Sequence, residues 1–111
     1  MNTLYHNPRC SKSRQAKALL EEAGVEFTEC LYLKAELSAD HYAQLLQQLG
    51  GNPIAHLRKG EAAFKALAPD ADMGQIAEAL AKDPILLERP LLVTDKGALV
   101  CRPPEKVAEL I

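Results

Sequence analysis

Residues 3–33 have the sequence TLYHNPRCSKSRQAKALLEEAGVEFTECLYL, and this stretch decides the fold. Its first four residues, Thr3 to His6, predict a short strand. The turn signal Asn7-Pro8 ends that strand. A helix is then expected to begin at Ser11. Cys10 therefore lies between a strand and the first turn of a helix.

The helix after Cys10 shows a clear apolar spacing. Its predicted buried stripe consists of Ala16, Leu19, Leu20 and Ala23. Gly24 stands where a helix C-terminal cap belongs. Residues 26–33 include aromatic and β-branched side chains and predict a second strand. The result is a β-α-β unit, whose two strands normally run parallel with a right-handed crossover.

The middle of the chain, about 38–88, predicts a helical insertion. Ser38 begins one helix and Asp72 caps another, with a short helical piece from Asn52-Pro53 between them. The inward residues expected on the two longer helices are Tyr42, Leu45, Leu46 and Leu49 on the first and Met73, Ile76, Ala77 and Leu80 on the second.

The last third of the chain predicts a hairpin and a short helix. Residues 91–94 and 98–101 are two apolar runs joined by Asp95-Lys96-Gly97. Pro103-Pro104 opens the final helix, with an inward stripe of Val107, Leu110 and Ile111. The order β-α-β, helical insertion, β-β-α predicts an α/β fold with a mixed four-stranded sheet on the thioredoxin-like plan, as one domain over 1–111.

Bulk composition narrows the class of protein. The chain has 111 residues, a formal net charge of −2 and 25% charged residues, which suit one soluble domain. Scattered basic residues disfavour nucleic acid as a partner. No run approaches the roughly 18 apolar residues of a membrane span, and no signal peptide is visible. We therefore expect a cytoplasmic protein with no membrane partner.

Cys10 is the strongest candidate for a reactive residue. The N-terminus of a helix offers unpaired N–H groups and the positive end of the helix dipole, and both favour a thiolate. Arg9, Lys12 and Arg14 add positive charge around it, and His6 lies four residues earlier. Such settings lower the pKa of a cysteine to roughly 3.5–7.5. His6 is in addition a candidate hydrogen-bond donor to the thiolate.

The residue three positions after Cys10 is Ser13, so the motif is Cys-x-x-Ser rather than a dithiol. A single thiolate needs another thiol to complete a redox cycle. That thiol comes from outside the chain, or from Cys30 or Cys101 if the fold brings either close. Both of these cysteines lie within strand patterns, which favours a structural role for each.

Three arginines lie at predicted element ends beside glycine or proline: Arg58, Arg89 and Arg102. A guanidinium group binds a tetrahedral oxyanion through two parallel hydrogen bonds. If the fold gathers them around Cys10, they form an anion site next to a nucleophile. The spacing of these arginines in the sequence does not show whether the fold brings them to Cys10. Pro90, which follows Arg89 at a strand start, is a candidate cis-proline.

Four ordered stretches resemble the glutaredoxin-coupled arsenate reductase family, the ArsC-like branch of the thioredoxin-like superfamily. They are residues 5–14 (YHNPRCSKSR), 57–59 (LRK), 83–90 (DPILLERP) and 101–105 (CRPPE). The resemblance implies that Cys10 is the nucleophile, that Arg58, Arg89 and Arg102 bind the oxyanion, and that Pro90 is cis. It also implies that His6, with Ser13, tunes the thiolate.

The implied reaction is attack of Cys10 on arsenate, with glutathione as co-substrate and glutaredoxin as the partner that restores Cys10. The resemblance implies no tightly bound cofactor and no metal. Two alternatives stay open. One is a glutathione-dependent thiol-disulfide reductase of another substrate. The other is a regulator of the Spx-like type that binds RNA polymerase, although many of these have Cys-x-x-Cys where this chain has Ser13.

Overall fold

The computed structural model describes residues 2–111, which divide into two compact units. One unit contains the chain up to Ala35 together with Arg89–Ile111, and the other contains Glu36–Glu88. The first holds the sheet and Cys10. The second is helical, in the part of the chain where an insertion is predicted.

The first unit is built on a four-stranded mixed sheet in the order β2-β1-β3-β4. Its strands are β1 (Thr3–Tyr5), β2 (Thr28–Cys30), β3 (Leu91–Thr94) and β4 (Gly97–Val100). β1 runs parallel to β2 and antiparallel to β3, and β3 and β4 form the predicted hairpin. The predicted α/β class and mixed sheet are confirmed.

Helix α1 (Ser11–Glu22) packs its apolar stripe into the core of this unit. Ala16 and Leu20 are fully buried in one cluster with Leu4 and Leu92. Leu19 is partly buried against that cluster, whereas Ala23 is exposed because it lies at the C-cap, beyond the last helical turn. Three of the four predicted stripe residues therefore face inward.

The second strand is shorter than predicted, because it covers Thr28–Cys30 instead of 26–33. The backbone N–H groups of Lys34 and Ala35 both donate to the carbonyl of Leu31, so the chain turns immediately after the strand. Tyr32 within this turn is buried. The aromatic and aliphatic side chains that suggested a longer strand therefore belong to a turn.

The final helix is a 3-10 helix, Pro104–Leu110, which packs against α1 and β4. Its residue Val107 is buried in the core as predicted. Ile111 lies beyond the helix and is exposed, so it does not extend the inward stripe. The predicted stripe presupposes an α-helix with 3.6 residues per turn. A 3-10 helix has three residues per turn, so Ile111 does not fall on the same face as Val107.

The second unit contains α2 (Ala39–Leu49), α3 (Ala62–Ala66) and α4 (Met73–Lys82), with 3-10 helices at Pro53–His56 and Pro84–Leu86. The helix α3 is additional to the helical pieces predicted from Ser38, Asn52-Pro53 and Asp72. The two predicted N-caps are present, since Ser38 accepts from the backbone N–H of His41 and Asp72 forms a capping box with Gln75.

The longer helices of the second unit pack against each other. Their buried residues are Tyr42, Leu45 and Leu46 on α2, and Ile76, Ala77 and Leu80 on α4. Leu49 and Met73, also predicted to face inward, are half-buried. Within residues 2–111, no helix is both long enough and apolar enough to cross a membrane.

Truncating Leu20 should destabilise the unit that positions Cys10. Leu20 is fully buried between α1 and the sheet, so Leu20→Ala removes packing and leaves a cavity, lowering the free energy of unfolding by about 2–5 kcal/mol. The matched control is Ile85→Ala, at a side chain that is 44% exposed, where a loss below about 1 kcal/mol is expected. Urea unfolding measures both, and equal losses would contradict the core assignment.

Candidate active site

Cys10 is the N-cap residue of α1, half-buried and with an extended backbone. A tight turn delivers the chain to this position, because the N–H of Cys10 donates to the carbonyl of Asn7 at 3.0 Å. The carbonyl of Cys10 then accepts the first helical hydrogen bond, from the N–H of Arg14. The side chain is therefore placed at the end of the helix where free N–H groups lie.

The electrostatic surroundings of Cys10 favour its thiolate. Burial by itself raises the pKa of the thiol, but hydrogen bonds from the backbone N–H groups of Ser13 and Lys12 and the charge and hydrogen bond of Arg89 lower it. The stabilising contributions outweigh burial, so the pKa of Cys10 lies below its usual value. This is the direction of pKa shift that its position at a helix N-terminus predicts.

Two of the three predicted arginines lie beside the Cys10 sulfur. Arg102 Nη1 is 3.9 Å from Cys10 Sγ and donates to the carbonyl of Arg89 at 3.1 Å. Arg89 comes just before β3 and Arg102 just after β4. Because β3 and β4 are antiparallel, the start of one and the end of the other meet at the same edge of the sheet. The hairpin thus gives Cys10 two guanidinium groups.

Both arginines are followed by a cis-proline, Pro90 and Pro103. The cis bond at Pro90 is as predicted. The one at Pro103 was not predicted, because Pro103-Pro104 was interpreted only as the opening of a helix. The sequence offered no signal that separates the two interpretations, since both isomers of an X-Pro bond have similar energies.

Arg58 lies in the second unit, separate from the unit that contains Cys10. Its backbone N–H donates to the carbonyl of Leu86 at 2.8 Å, which ties it to the segment before Arg89. Its guanidinium Nη2 lies 3.3 Å from Glu61 Oε2. Its predicted part in oxyanion binding stays a prediction.

His6 and Ser13 form a buried pair beneath the Cys10 loop. The His6 Nδ1 and the Ser13 hydroxyl oxygen are 2.8 Å apart, and the same hydroxyl accepts from the backbone N–H of Asn7 at 3.0 Å. The other ring nitrogen, Nε2, faces Glu29 Oε1 at 3.8 Å. Both ring nitrogens are thus directed at groups other than the Cys10 sulfur, and His6 acts on the loop through Ser13.

Glu29 and Lys17 belong to the same set of contacts and were not predicted. The Lys17 ammonium lies 3.1 Å from Glu29 Oε2, while the second carboxylate oxygen faces His6. Burial lowers the pKa of His6, and the neighbouring carboxylate of Glu29 opposes that shift. Parallel pairing of β1 with β2 brings Glu29 to this position, and nothing local in the sequence signals it.

The other two cysteines differ from Cys10 in their ionisation. Burial raises the pKa of Cys30, and it raises the pKa of Cys101 to about 11. The Cys101 thiol donates to the carbonyl of Leu99 at 3.6 Å within the core. All three cysteines are free thiols. At neutral pH the thiolate therefore forms preferentially at Cys10. No cluster of potential metal ligands occurs among the residues that the structure describes.

Comparisons with known proteins agree over nearly the whole chain. Residues 5–110 match the sequence model of the ArsC family. A relative from Escherichia coli (strain K12), "Uncharacterized protein YfgD", is 41% identical over 97% of this chain and 94% of its own. An Escherichia coli protein named arsenate reductase is 34% identical over 98% of this chain and 79% of its own. The solved structure of an arsenate reductase from Vibrio cholerae superposes with a TM-score of 0.91 at 38% identity, covering 99% of this chain and 97% of that one.

Alkylation by iodoacetamide should distinguish Cys10 from the other thiols. Only a thiolate reacts, so a lowered pKa moves the rise in rate to lower pH. We expect the midpoint for Cys10 to fall below the ordinary cysteine value of about 8.5, and to move upward in Arg89→Met, which removes a stabilising charge. Peptide mass spectrometry assigns each site, with Cys101 as internal control. A Cys10 midpoint at or above 8.5 would contradict the electrostatic assignment.

Ser13→Ala should loosen the loop while keeping the backbone hydrogen bond to Cys10. The change deprives the N–H of Asn7 and the His6 ring of their partner, and we expect a stability loss of about 1–3 kcal/mol. Ser11→Ala, at an exposed position of the same helix, is the matched control and should change stability little. Urea unfolding checks both variants, and an unchanged stability for Ser13→Ala would show that the buried pair contributes nothing.

Proposed function

The chain belongs to the ArsC family, and from that premise we propose that it reduces arsenate to arsenite with Cys10 as the nucleophile. The names of the matched Escherichia coli and Vibrio cholerae proteins supply the substrate class. The observation on which the proposal depends is the contact of Cys10 Sγ with Arg102 Nη1 at 3.9 Å, beside Arg89. A stabilised thiolate and two guanidinium groups suit an oxyanion that reacts with sulfur.

In the first step the Cys10 thiolate attacks the arsenic of a bound arsenate. A sulfur–arsenic bond forms, one arsenic–oxygen bond breaks, and the departing oxygen leaves as water after protonation. Arg89 and Arg102 hold the remaining oxygens and offset their negative charge. Arg58, as the third predicted oxyanion-binding residue, belongs to the same proposal.

In the second step a glutathione thiolate attacks the Cys10 sulfur. A disulfide forms between glutathione and Cys10, and the electron pair of the sulfur–arsenic bond stays with arsenic, which leaves as arsenite. Arsenic is thereby reduced from the +5 to the +3 state, and the two thiols are oxidised. A glutaredoxin thiolate then attacks the glutathione sulfur and releases the Cys10 thiolate.

The Cys-x-x-Ser motif supports an outside reductant. The residue that would hold a resolving thiol is Ser13, whose buried hydroxyl bonds to the loop and cannot form a disulfide. Glutathione is therefore a consumed co-substrate, and the cycle requires no tightly bound cofactor. The proposed reaction cycle also suits the cytoplasm, where glutathione and glutaredoxin keep thiols reduced.

An arsenite-production assay with arsenate, glutathione and glutaredoxin tests the proposal. Cys10→Ser should abolish turnover. Arg89→Ala, Arg102→Ala and Arg58→Ala should each lower kcat/KM for arsenate by about 10- to 100-fold, the effect expected for loss of one charge-assisted hydrogen bond. Lys82→Ala removes a positive charge from an exposed helix end and is the control, with no expected effect.

If wild-type turnover is no greater than that of Cys10→Ser, arsenate is not the substrate. Reduction of a glutathionyl mixed disulfide by the same preparation, with no competition by arsenate, would then favour the thiol-disulfide reductase alternative. An unchanged kcat/KM in Arg58→Ala alone would remove only that residue from the oxyanion site.

A further inference from the structure

A cavity of about 260 Å³ lies beside the loop that contains Cys10. One wall consists of residues 6–9, the chain between β1 and Cys10. The other wall consists of Leu31, Leu33 and Lys34, in the turn that follows β2. The oxyanion chemistry described above makes no use of this cavity, although its last loop residue, Arg9, is the immediate neighbour of Cys10.

The lining of the cavity combines apolar surface with positive charge. Leu31 and Leu33 are 40% and 37% exposed, two of the few large apolar side chains at the surface of the described chain. Arg9 and Lys34 are exposed and add two cations. No carboxylate occurs among the described residues that line the cavity. The surface suits a small ligand with anionic ends and an aliphatic body.

The sheet order separates this cavity from the arginines. Tyr5 at the end of β1 pairs with Cys30 of β2 on one side and with Leu91 of β3 on the other. The loop after β1 therefore has the turn after β2 on one flank and the start of β3 on the other. The cavity lies on the β2 flank, and Arg89 and Arg102 approach Cys10 from the β3–β4 flank.

This separation matches the stereochemistry of displacement at sulfur. A thiolate that attacks a sulfur atom approaches in line with the bond that breaks, from the side opposite to the leaving group. In the proposed reaction the oxyanion is held on the arginine flank, so an in-line attack brings the incoming thiol to Cys10 from the β2 flank. The cavity lies on that flank, and its lining reaches Arg9, the chain neighbour of Cys10.

We propose that this cavity, lined by the Cys10 loop and the turn after β2, binds glutathione as the reducing thiol; the inference rests on the proposed function. The two carboxylates of glutathione match Arg9 and Lys34, and its methylene groups can cover Leu31 and Leu33. After the attack, the tripeptide of the Cys10–glutathione disulfide stays in the same cavity, which leaves the arginine flank to the oxyanion.

A disulfide-exchange experiment tests the site without arsenate. The rate at which Cys10 forms a mixed disulfide is measured by intact mass with glutathione disulfide and with the uncharged hydroxyethyl disulfide. Lys34→Glu should slow the reaction with glutathione disulfide roughly three- to tenfold, as expected for reversing one surface charge. It should leave the reaction with hydroxyethyl disulfide unchanged.

Lys82→Glu is the matched control, because it reverses an exposed charge that does not line the cavity. It should change neither rate. If Lys34→Glu has wild-type rates with both disulfides, or slows both equally, the glutathione site is wrong. Since arsenate is absent, this result is independent of whether the protein reduces arsenate.

Backbone NMR with S-methylglutathione, which cannot exchange, locates the bound tripeptide directly. Shift changes should concentrate at residues 6–9 and 31–34 of the wild-type protein. Changes confined to residues 89–90 and 101–103 would place glutathione on the arginine flank, and an absence of changes at millimolar ligand would show no site. Either result overturns the proposal.

Discussion

Strand β1 lies between β2 and β3, and this pairing determines what surrounds Cys10. The parallel partner brings Glu29 beside His6, and the antiparallel partner brings the start of β3 to the end of β1. A shift of either pairing by one residue would turn every side chain of that strand to the opposite face. Leu4 and Leu92, which pair across β1 and β3, are both fully buried, so the core enforces the register.

Two opposing electrostatic effects decide the ionisation of the Cys10 thiol. Partial burial removes water and disfavours the thiolate, while helix N–H groups and Arg89 replace that water with oriented positive charge. Cys101 shows the result when burial acts with little compensation, since its pKa rises to about 11. The same residue type thus becomes a nucleophile at a helix start and an inert core side chain at a strand end.

Ser13, which forms a buried pair with His6, has the position that a second redox thiol would occupy in a dithiol motif. Its hydroxyl holds the loop by accepting from Asn7, so it stabilises the conformation of the site instead of taking part in electron transfer. These hydrogen bonds hold the loop from its buried side. One flank holds arginines and the other an apolar, basic cavity, an arrangement suited to two ligands that react at one sulfur.

The sequence by itself determined the order of elements, the mixed sheet, the location of Cys10 at a helix start and the arginines beside prolines. These features depend on local spacing, caps and turns, which act within a few residues. The end of β2 at Cys30, the 3-10 form of the last helix and the Glu29–His6 contact required the tertiary structure. So did the approach of Arg102 to Cys10, because residues 92 positions apart meet only through strand pairing and core packing.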